Sequence, residues 1–272
     1  MKEAAAGKHW KDAVSTSLQK LVSADRMGLV TDMDGTISHI VDNPVDAVVT
    51  SRNCDLLRRL RAKLPLVSVV SGRSVRSVTA RMQLPGVVYI GNHGLERCVD
   101  GEVRYNLDVE AYRPQLEACV GELQKIRLEG VRVEDKDVTV TLHYRQTQDP
   151  QAARELLLPL VQEIATRHGV QFFEGRMIFE LRPTVNVDKG SAFESLVHEY
   201  ALDSAIYVGD DTTDISALRL ARRLRQGREC YALGTGVMSD NSPEGLAAEA
   251  DLLAYGVPDV ENLFAWILET LE

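Results

Sequence analysis

Five short apolar runs, each breaking off at a residue that does not continue a strand, constrain this chain more than any other feature. They are Met27–Asp32, Leu66–Val70, Val87–Ile90, Ala205–Val208 and Cys230–Leu233. Such near-continuous hydrophobicity suits strands buried on both faces. Stretches with helical spacing lie between them. Leu56, Leu57, Leu60 and Leu64 mark one helix, ending at Pro65, and a second runs from the Ser71-Gly72-Arg73 turn to about Met82. A third starts near Lys189, a basic one follows Asp214, and Val260, Leu263, Phe264, Ile267, Leu268 and Leu271 close the chain. Trp10, Val14, Leu18, Leu21 and Val22 predict an amphipathic lead-in helix over residues 9–23. Strands separated by helices of this length predict an α/β fold with a doubly wound parallel sheet.

The rhythm fails after about residue 104. A helix over 113–128 precedes the strands Val131–Glu134 and Val138–Arg145, and a helix over 150–168 precedes Val170–Glu174 and Met177–Arg182. Hairpins do not belong to a parallel pattern, so this block predicts an inserted α+β domain at 104–185, with 1–103 and 186–272 forming the core. Lys plus Arg number 31 against 40 Asp plus Glu, a net charge of −9 that argues against a nucleic-acid or acidic-membrane surface. Cys54, Cys98, Cys119 and Cys230 form no C-x-x-C pair, which speaks against a zinc site or disulfide framework. No run approaches the ~20 apolar residues of a membrane span, and the first ten residues lack a signal-peptide core. A soluble, cytoplasmic protein without nucleic-acid or membrane partners is expected.

Four stretches carry candidate chemistry. Asp32 and Asp34 close the first strand and stand on one side of it, roughly 6–7 Å apart, with Gly35-Thr36 following. Asp210, Asp211 and Asp214 crowd after the strand Ala205–Val208. Helix capping accounts for one or two of these acids, while a cation would offset the repulsion among all three. Oxygen ligands without His or Cys suit Mg²⁺. Ser71 ends its strand as Asp32 does, either as a plain helix cap or as a donor to a phosphoryl oxygen. Lys189 at a helix start opposes the macrodipole, which suits a lysine that neutralises phosphate and carboxylates. In a doubly wound sheet all these strand ends meet at one edge.

D-x-D-G-T at Asp32–Thr36, Ser71, Lys189 and G-D-D-x-x-D at Gly209–Asp214 resemble the haloacid dehalogenase superfamily of phosphatases in order and strand context. The insert falls where that superfamily places its larger, C2-type cap. The resemblance implies catalytic roles for Asp32, Asp34, Ser71 and Lys189. Asp32 would attack phosphorus and Asp34 would act as general acid and then base. It also implies Mg²⁺ held by Asp32, the Asp34 carbonyl and Asp210, with Asp211 or Asp214 in support.

The strand Val138–Arg145 alternates, with Val138, Val140, Leu142 and Tyr144 on one face and Thr139, Thr141, His143 and Arg145 on the other. Met177, Phe179 and Leu181 likewise oppose Glu180 and Arg182. A polar face of mixed Glu, His and Arg suits a polyhydroxylated ligand, which needs both donors and acceptors. Gly91-Asn92-His93-Gly94-Leu95-Glu96, Glu134-Asp135-Lys136 with Arg145, and Glu174-Gly175-Arg176 leading to Glu180-Leu181-Arg182-Pro183 resemble the trehalose-6-phosphate phosphatase family in particular. Pro44, Ala47 and Asp188-Lys189-Gly190 also fit. That resemblance implies sugar binding by Glu134, Lys136, Arg145, Arg176 and Glu180 from the cap and by Asn92, His93 and Glu96 from the core. It implies hydrolysis of trehalose 6-phosphate and a trehalose-6-phosphate synthase as partner enzyme. The alternatives are a phosphatase for sucrose 6-phosphate or a glycosyl-3-phosphoglycerate, a phosphomutase, and a non-enzymatic phospho-receiver.

Overall fold

The computed structural model describes residues 7–41, 46–105, 109–175 and 177–272. The first strands are β1 (Lys8–His9), β2 (Met27–Thr31), β3 (Leu66–Val70), β4 (Val88–Gly91), β5 (Glu96–Val99) and β6 (Glu102–Tyr105). Next come β7 (Arg132–Asp135), β8 (Val140–His143), β9 (Gln171–Gly175) and β10 (Ile178–Arg182). The last are β11 (Ser204–Gly209), β12 (Tyr231–Met238) and β13 (Leu252–Tyr255). Two compact units result, one from Met1–Arg104 with Val187–Glu272 and one from Tyr105–Asn186.

The first unit holds a nine-stranded sheet in the order β1-β13-β12-β11-β2-β3-β4-β5-β6. Pairing is parallel from β1 through β4 and antiparallel between β4 and β5. Alternate strand residues feed two cores. Leu29, Val67, Val69, Ile206 and Val208 pack with the helices Ser51–Lys63 and Gly256–Leu271. Val30, Leu66, Val70, Ala205 and Tyr207 pack with the helices Lys189–Glu199 and Ile215–Gly227. Each fully buried Leu or Val here contributes about 1.5–3 kcal/mol of transfer free energy, which locks the strand register and with it the strand ends.

Three expectations are corrected. The lead-in is not one helix: Lys8–His9 pairs with β13, Trp10–Ala13 forms a 3₁₀ turn, and only Ser17–Val22 is α-helical. Asp259 captures both His9 Nε2 (2.8 Å) and the Trp10 indole N–H (3.0 Å), which favours the extended entry. β12 does not stop before Gly234 but continues to Met238. A Cβ at Gly234 would stand 2.9 Å from Leu218 Cδ2, so this glycine admits a closely packed helix instead of ending the strand. The antiparallel strands β5 and β6 follow Gly94, so the core sheet is mixed.

The second unit is an antiparallel sheet, β7-β8-β10-β9, with the helices Arg113–Leu123 and Pro150–His168. Val140, Leu142, Phe179 and Leu181 form its apolar face and pack on Leu116, Cys119, Leu157 and Val161. Asp149 caps the longer helix by accepting from the Gln151 and Ala152 N–H groups, and Gly169 in the left-handed region ends it.

Candidate functional site

Asp32, Ser71, Asn92 and Asp210 each immediately follow the carboxyl end of β2, β3, β4 or β11, four adjacent parallel strands. This is the sheet edge where open α/β folds bind ligands. At its centre Lys189 Nζ donates to Asp32 Oδ1 and Asp214 Oδ1, both at 2.7 Å, with all three side chains buried. Asp188 presents the lysine at the first turn of its helix through a capping box with Ser191. Asp214 also accepts from Tyr207 OH (2.6 Å) on Oδ1 and from the Asp210 and Asp211 N–H groups (3.1 and 2.9 Å) on Oδ2. A buried carboxylate supplied with four donors is committed to its own loop.

The electrostatics follow from crowding. Burial pushes the Asp32 carboxyl well above the ordinary carboxylate range; Lys189 opposes this, while Asp214 and Asp210 add to it. Burial, with Asp214 and Asp211 beside it and Lys189 opposing, pushes Asp210 up to about 7. Burial draws the Lys189 ammonium down, but the carboxylates of Asp214 and Asp32 more than offset it and its pKa rises. Asp32, Asp210 and Asp214 bring one carboxylate oxygen each within 4.8 Å of one another. Three acids against one lysine leave a negative excess, and an all-oxygen donor set with that excess fits a hard divalent cation. Asp211, the other acid that the sequence singles out, is exposed and stands outside this trio, at the start of the turn Thr212–Asp214. Gly35 has φ +79°, and a Cβ there would meet Asp210 Oδ2 at 2.0 Å, so only glycine lets the two loops approach.

Asp34 sits apart from the trio and is bound by Arg73, which donates from Nε to Oδ2 (2.6 Å) and from a terminal nitrogen to Oδ1 (2.8 Å). Sequence reasoning gave Arg73 no role, although it stands two residues beyond Ser71. The loop carrying it is braced. Arg73 N–H donates to Ser71 Oγ (3.1 Å), Asn92 N–H to the Arg73 carbonyl (2.8 Å) and His93 N–H to the Ser71 carbonyl (3.0 Å). Glu96, almost fully buried, accepts from Val75 N–H (2.7 Å) and Asn92 Nδ2 (2.8 Å) on one oxygen. Asn92 and His93 are held at φ 46° and 60°, a costly backbone state outside glycine. Through these bonds Asn92 and Glu96 shape the Ser71 loop.

In the second unit, the aligned register Glu134–Thr141–Glu180 runs across β7, β8 and β10. Glu180 is 2% exposed and receives Lys136 Nζ (3.0 Å) and Thr141 Oγ1 (3.2 Å) on one oxygen and Arg182 Nε (2.5 Å) on the other. Glu134 Oε2 lies 2.7 Å from His143 Nε2. The hydrogen bond to His143 lowers the Glu134 pKa to about 2, against burial and with help from Lys136. Arg145 is half-buried in the turn after β8. Arg176 and Pro44 lie outside the described residues. His143, Thr141 and Arg182 complete a polar face whose alternation was visible in the sequence, although no site role was assigned to them.

A trehalose-phosphatase family model matches residues 30–239. Trehalose-phosphate phosphatases of Mycobacterium marinum and Mycobacterium bovis are 34% and 36% identical over 207 and 219 residues, covering 72% and 74% of this chain. The chain spans about half the length of these curated relatives, 52% and 54%. The C-terminal domain of Candida albicans trehalose-6-phosphate phosphatase shares the fold at a TM-score of 0.77 and 19% identity, with 98% of this chain and 99% of that one covered. A trehalose-6-phosphate phosphatase related protein does so at 0.71 and 24%, covering 89% and 98%. From the strand-end carboxylates through β12, then, the chain belongs to the trehalose-phosphatase family.

Proposed function

We propose that this chain hydrolyses trehalose 6-phosphate to trehalose and phosphate through an aspartyl-phosphate on Asp32, with Mg²⁺ as cofactor. The observation that carries the reading is the buried Asp32–Lys189–Asp214 chain at the parallel strand ends, with Asp34 two residues further on. Lys189 orients Asp32 through Oδ1 and leaves its other oxygen to attack phosphorus. As that P–O bond forms, the bond to the sugar oxygen breaks and its electron pair stays on that oxygen, which takes a proton from Asp34. Asp34 then removes a proton from water as the water oxygen bonds to phosphorus. The Asp32–phosphorus bond breaks and the carboxylate is restored. Ser71 and Lys189 hold the phosphoryl oxygens. Asp32, Asp210 and the Asp34 carbonyl would hold Mg²⁺, with Asp214 fixing the loop behind them. When bound, the cation spreads the negative charge of the transferring group.

Sugar recognition falls to Glu134, Lys136, Arg145 and Glu180 on the polar side of the second unit and to Arg176, with Asn92, His93 and Glu96 in support. Donors and acceptors in equal company suit a neutral disaccharide. A trehalose-6-phosphate synthase is the partner enzyme that would supply the ester, in the cytoplasm. Among the described residues no helix is long and apolar enough to cross a membrane.

The test is phosphate release from a panel of sugar phosphates with and without Mg²⁺. Trehalose 6-phosphate should lead sucrose 6-phosphate and a glycosyl-3-phosphoglycerate by at least about tenfold, roughly 1.4 kcal/mol of transition-state binding. Asp32→Asn should lose about 10⁴-fold or more in turnover. Equal rates across the panel would remove the specific substrate and keep the phosphatase. Undiminished turnover in Asp32→Asn would remove the mechanism.

A further inference from the structure

Arg73 grips Asp34 with two arms of its guanidinium, at 2.6 and 2.8 Å. A planar fork on a carboxyl fixes both the position and the plane of that group. The pair is half-buried, with Arg73 and Asp34 side chains 16% and 35% exposed, so solvent does not freely compete for it. Arg73 is itself held from behind. Its N–H is bound to Ser71 Oγ, its carbonyl accepts from Asn92 N–H, and one oxygen of Glu96 accepts from both Val75 N–H and Asn92 Nδ2. At Gly72 a Cβ would meet the His93 ring at 2.6 Å, so the turn that aims Arg73 admits no side chain between Ser71 and Arg73.

Among the described residues no other side chain is hydrogen-bonded to the Asp34 carboxyl. Asp34 follows the end of β2, in a loop that Gly35 N–H closes on the Ser38 carbonyl at 2.8 Å. A general acid must present its proton within hydrogen-bond reach of the departing oxygen, and a misplacement of about 1 Å costs on the order of 10²-fold. We propose that Arg73 is a positioning residue that aims the Asp34 carboxyl at the leaving oxygen. The proposal rests on the hydrolase reading of the site. With one arm released, the remaining N–H···O bond keeps the direction of the side chain while the other oxygen carries the proton. During transfer to Asp32 the P–O bond to the sugar breaks, its electron pair stays on the sugar oxygen, and the Asp34 proton goes to that oxygen. Arg73 exchanges no proton.

The experiment exploits leaving groups. A sugar alkoxide needs a proton as it departs, whereas p-nitrophenolate leaves unaided, so in the first transfer, which kcat/KM reports, only the sugar ester depends on how Asp34 is aimed; the later attack of water is common to both. The readout is the ratio of kcat/KM for trehalose 6-phosphate to that for p-nitrophenyl phosphate, measured with Mg²⁺ on the full chain in wild type, Arg73→Gln and Arg73→Lys. This ratio does not depend on the fraction of active protein. It should fall at least about tenfold in Arg73→Gln and by less in Arg73→Lys, which keeps the charge without the fork. The loss should appear in kcat more than in KM. A ratio equal to wild type in Arg73→Gln overturns the proposal, and so does a loss confined to KM, which would make Arg73 a substrate contact. Wild-type protein that hydrolyses neither ester would sink the hydrolase reading itself. Hydrolysis of both with an unmoved ratio sinks only the role of Arg73.

Discussion

Lys189 in the first unit and Lys136 in the second are both largely buried lysines bound to carboxylates, but their company differs. Lys189 bridges Asp32 and Asp214, with Asp210 close enough to join them around a common point. Lys136 and Arg182 both donate to Glu180, while Glu134 is hydrogen-bonded to His143. The first cluster therefore carries more negative than positive charge, and the second is close to balanced. Desolvating an unbalanced charge is expensive. An acidic excess invites a cation, whereas a balanced set of donors and acceptors recognises a ligand without net charge at the contacted end.

The largest effect should come from altering the unbalanced cluster. Asp210→Asn removes one negative charge from a group burial already holds up to about 7. The substituted protein should lose about 10²-fold or more in Mg²⁺-supported turnover. In wild type, Mg²⁺ at about 100 times its Kd should add ~2.7 kcal/mol of stability, read as a rise in thermal midpoint. Asp210→Asn should lose that rise. A midpoint equally responsive in both proteins would break the comparison, because the excess charge would then have no part in holding the cation.

A middling effect is expected from unbalancing the second cluster. Glu180→Gln leaves Lys136 and Arg182 facing a neutral amide, at a cost of about 2 kcal/mol for the charged hydrogen bonds weakened. Denaturant unfolding of the full chain measures this. If the face selects sugar, the ratio of kcat/KM for trehalose 6-phosphate to that for p-nitrophenyl phosphate should also fall about tenfold. A stability loss with an unchanged ratio would leave Glu180 a purely structural acid.

These clusters were not equally legible beforehand. Asp32, Asp34, Ser71, Lys189 and Asp210 were visible because each closes a strand or opens a helix, and strand ends are local patterns in an apolar run. That Asp214 folds back beside Asp32 was not visible. It depends on a tight turn in which Gly209 makes room: a Cβ there would lie 2.3 Å from Asp214 Cγ. Arg73 escaped notice because its partner lies 39 residues away, on a neighbouring strand end. The polar face of the second unit was readable from period-two alternation. The pairing of Lys136 with Glu180 across 44 residues followed only from the register that places β7, β8 and β10 side by side. β1 escaped because Lys8–His9 is a two-residue strand whose partner is near the other end of the chain.

The smallest effect sharpens the claim of balance. Glu134 has its pKa lowered from an ordinary 4.5 to about 2, chiefly by the hydrogen bond to His143, with burial acting against and Lys136 assisting. A carboxyl whose folded pKa lies below its unfolded one adds stability above about pH 4.5, and that stability drains away as the pH falls toward about 2. The full displacement would correspond to about 3.4 kcal/mol. The Glu134 side chain is 37% exposed, so solvent screening reduces the effect to about 1 kcal/mol or less. Other carboxylates titrate in the same window, so the informative quantity is the difference between wild type and Glu134→Gln. That difference should be near 1 kcal/mol at pH 6 and shrink steadily below pH 4.5. A Glu134 side-chain carboxyl titrating near 4.5 by NMR would show that His143 does not balance it, and the contrast with the acidic cluster would rest on Glu180 alone.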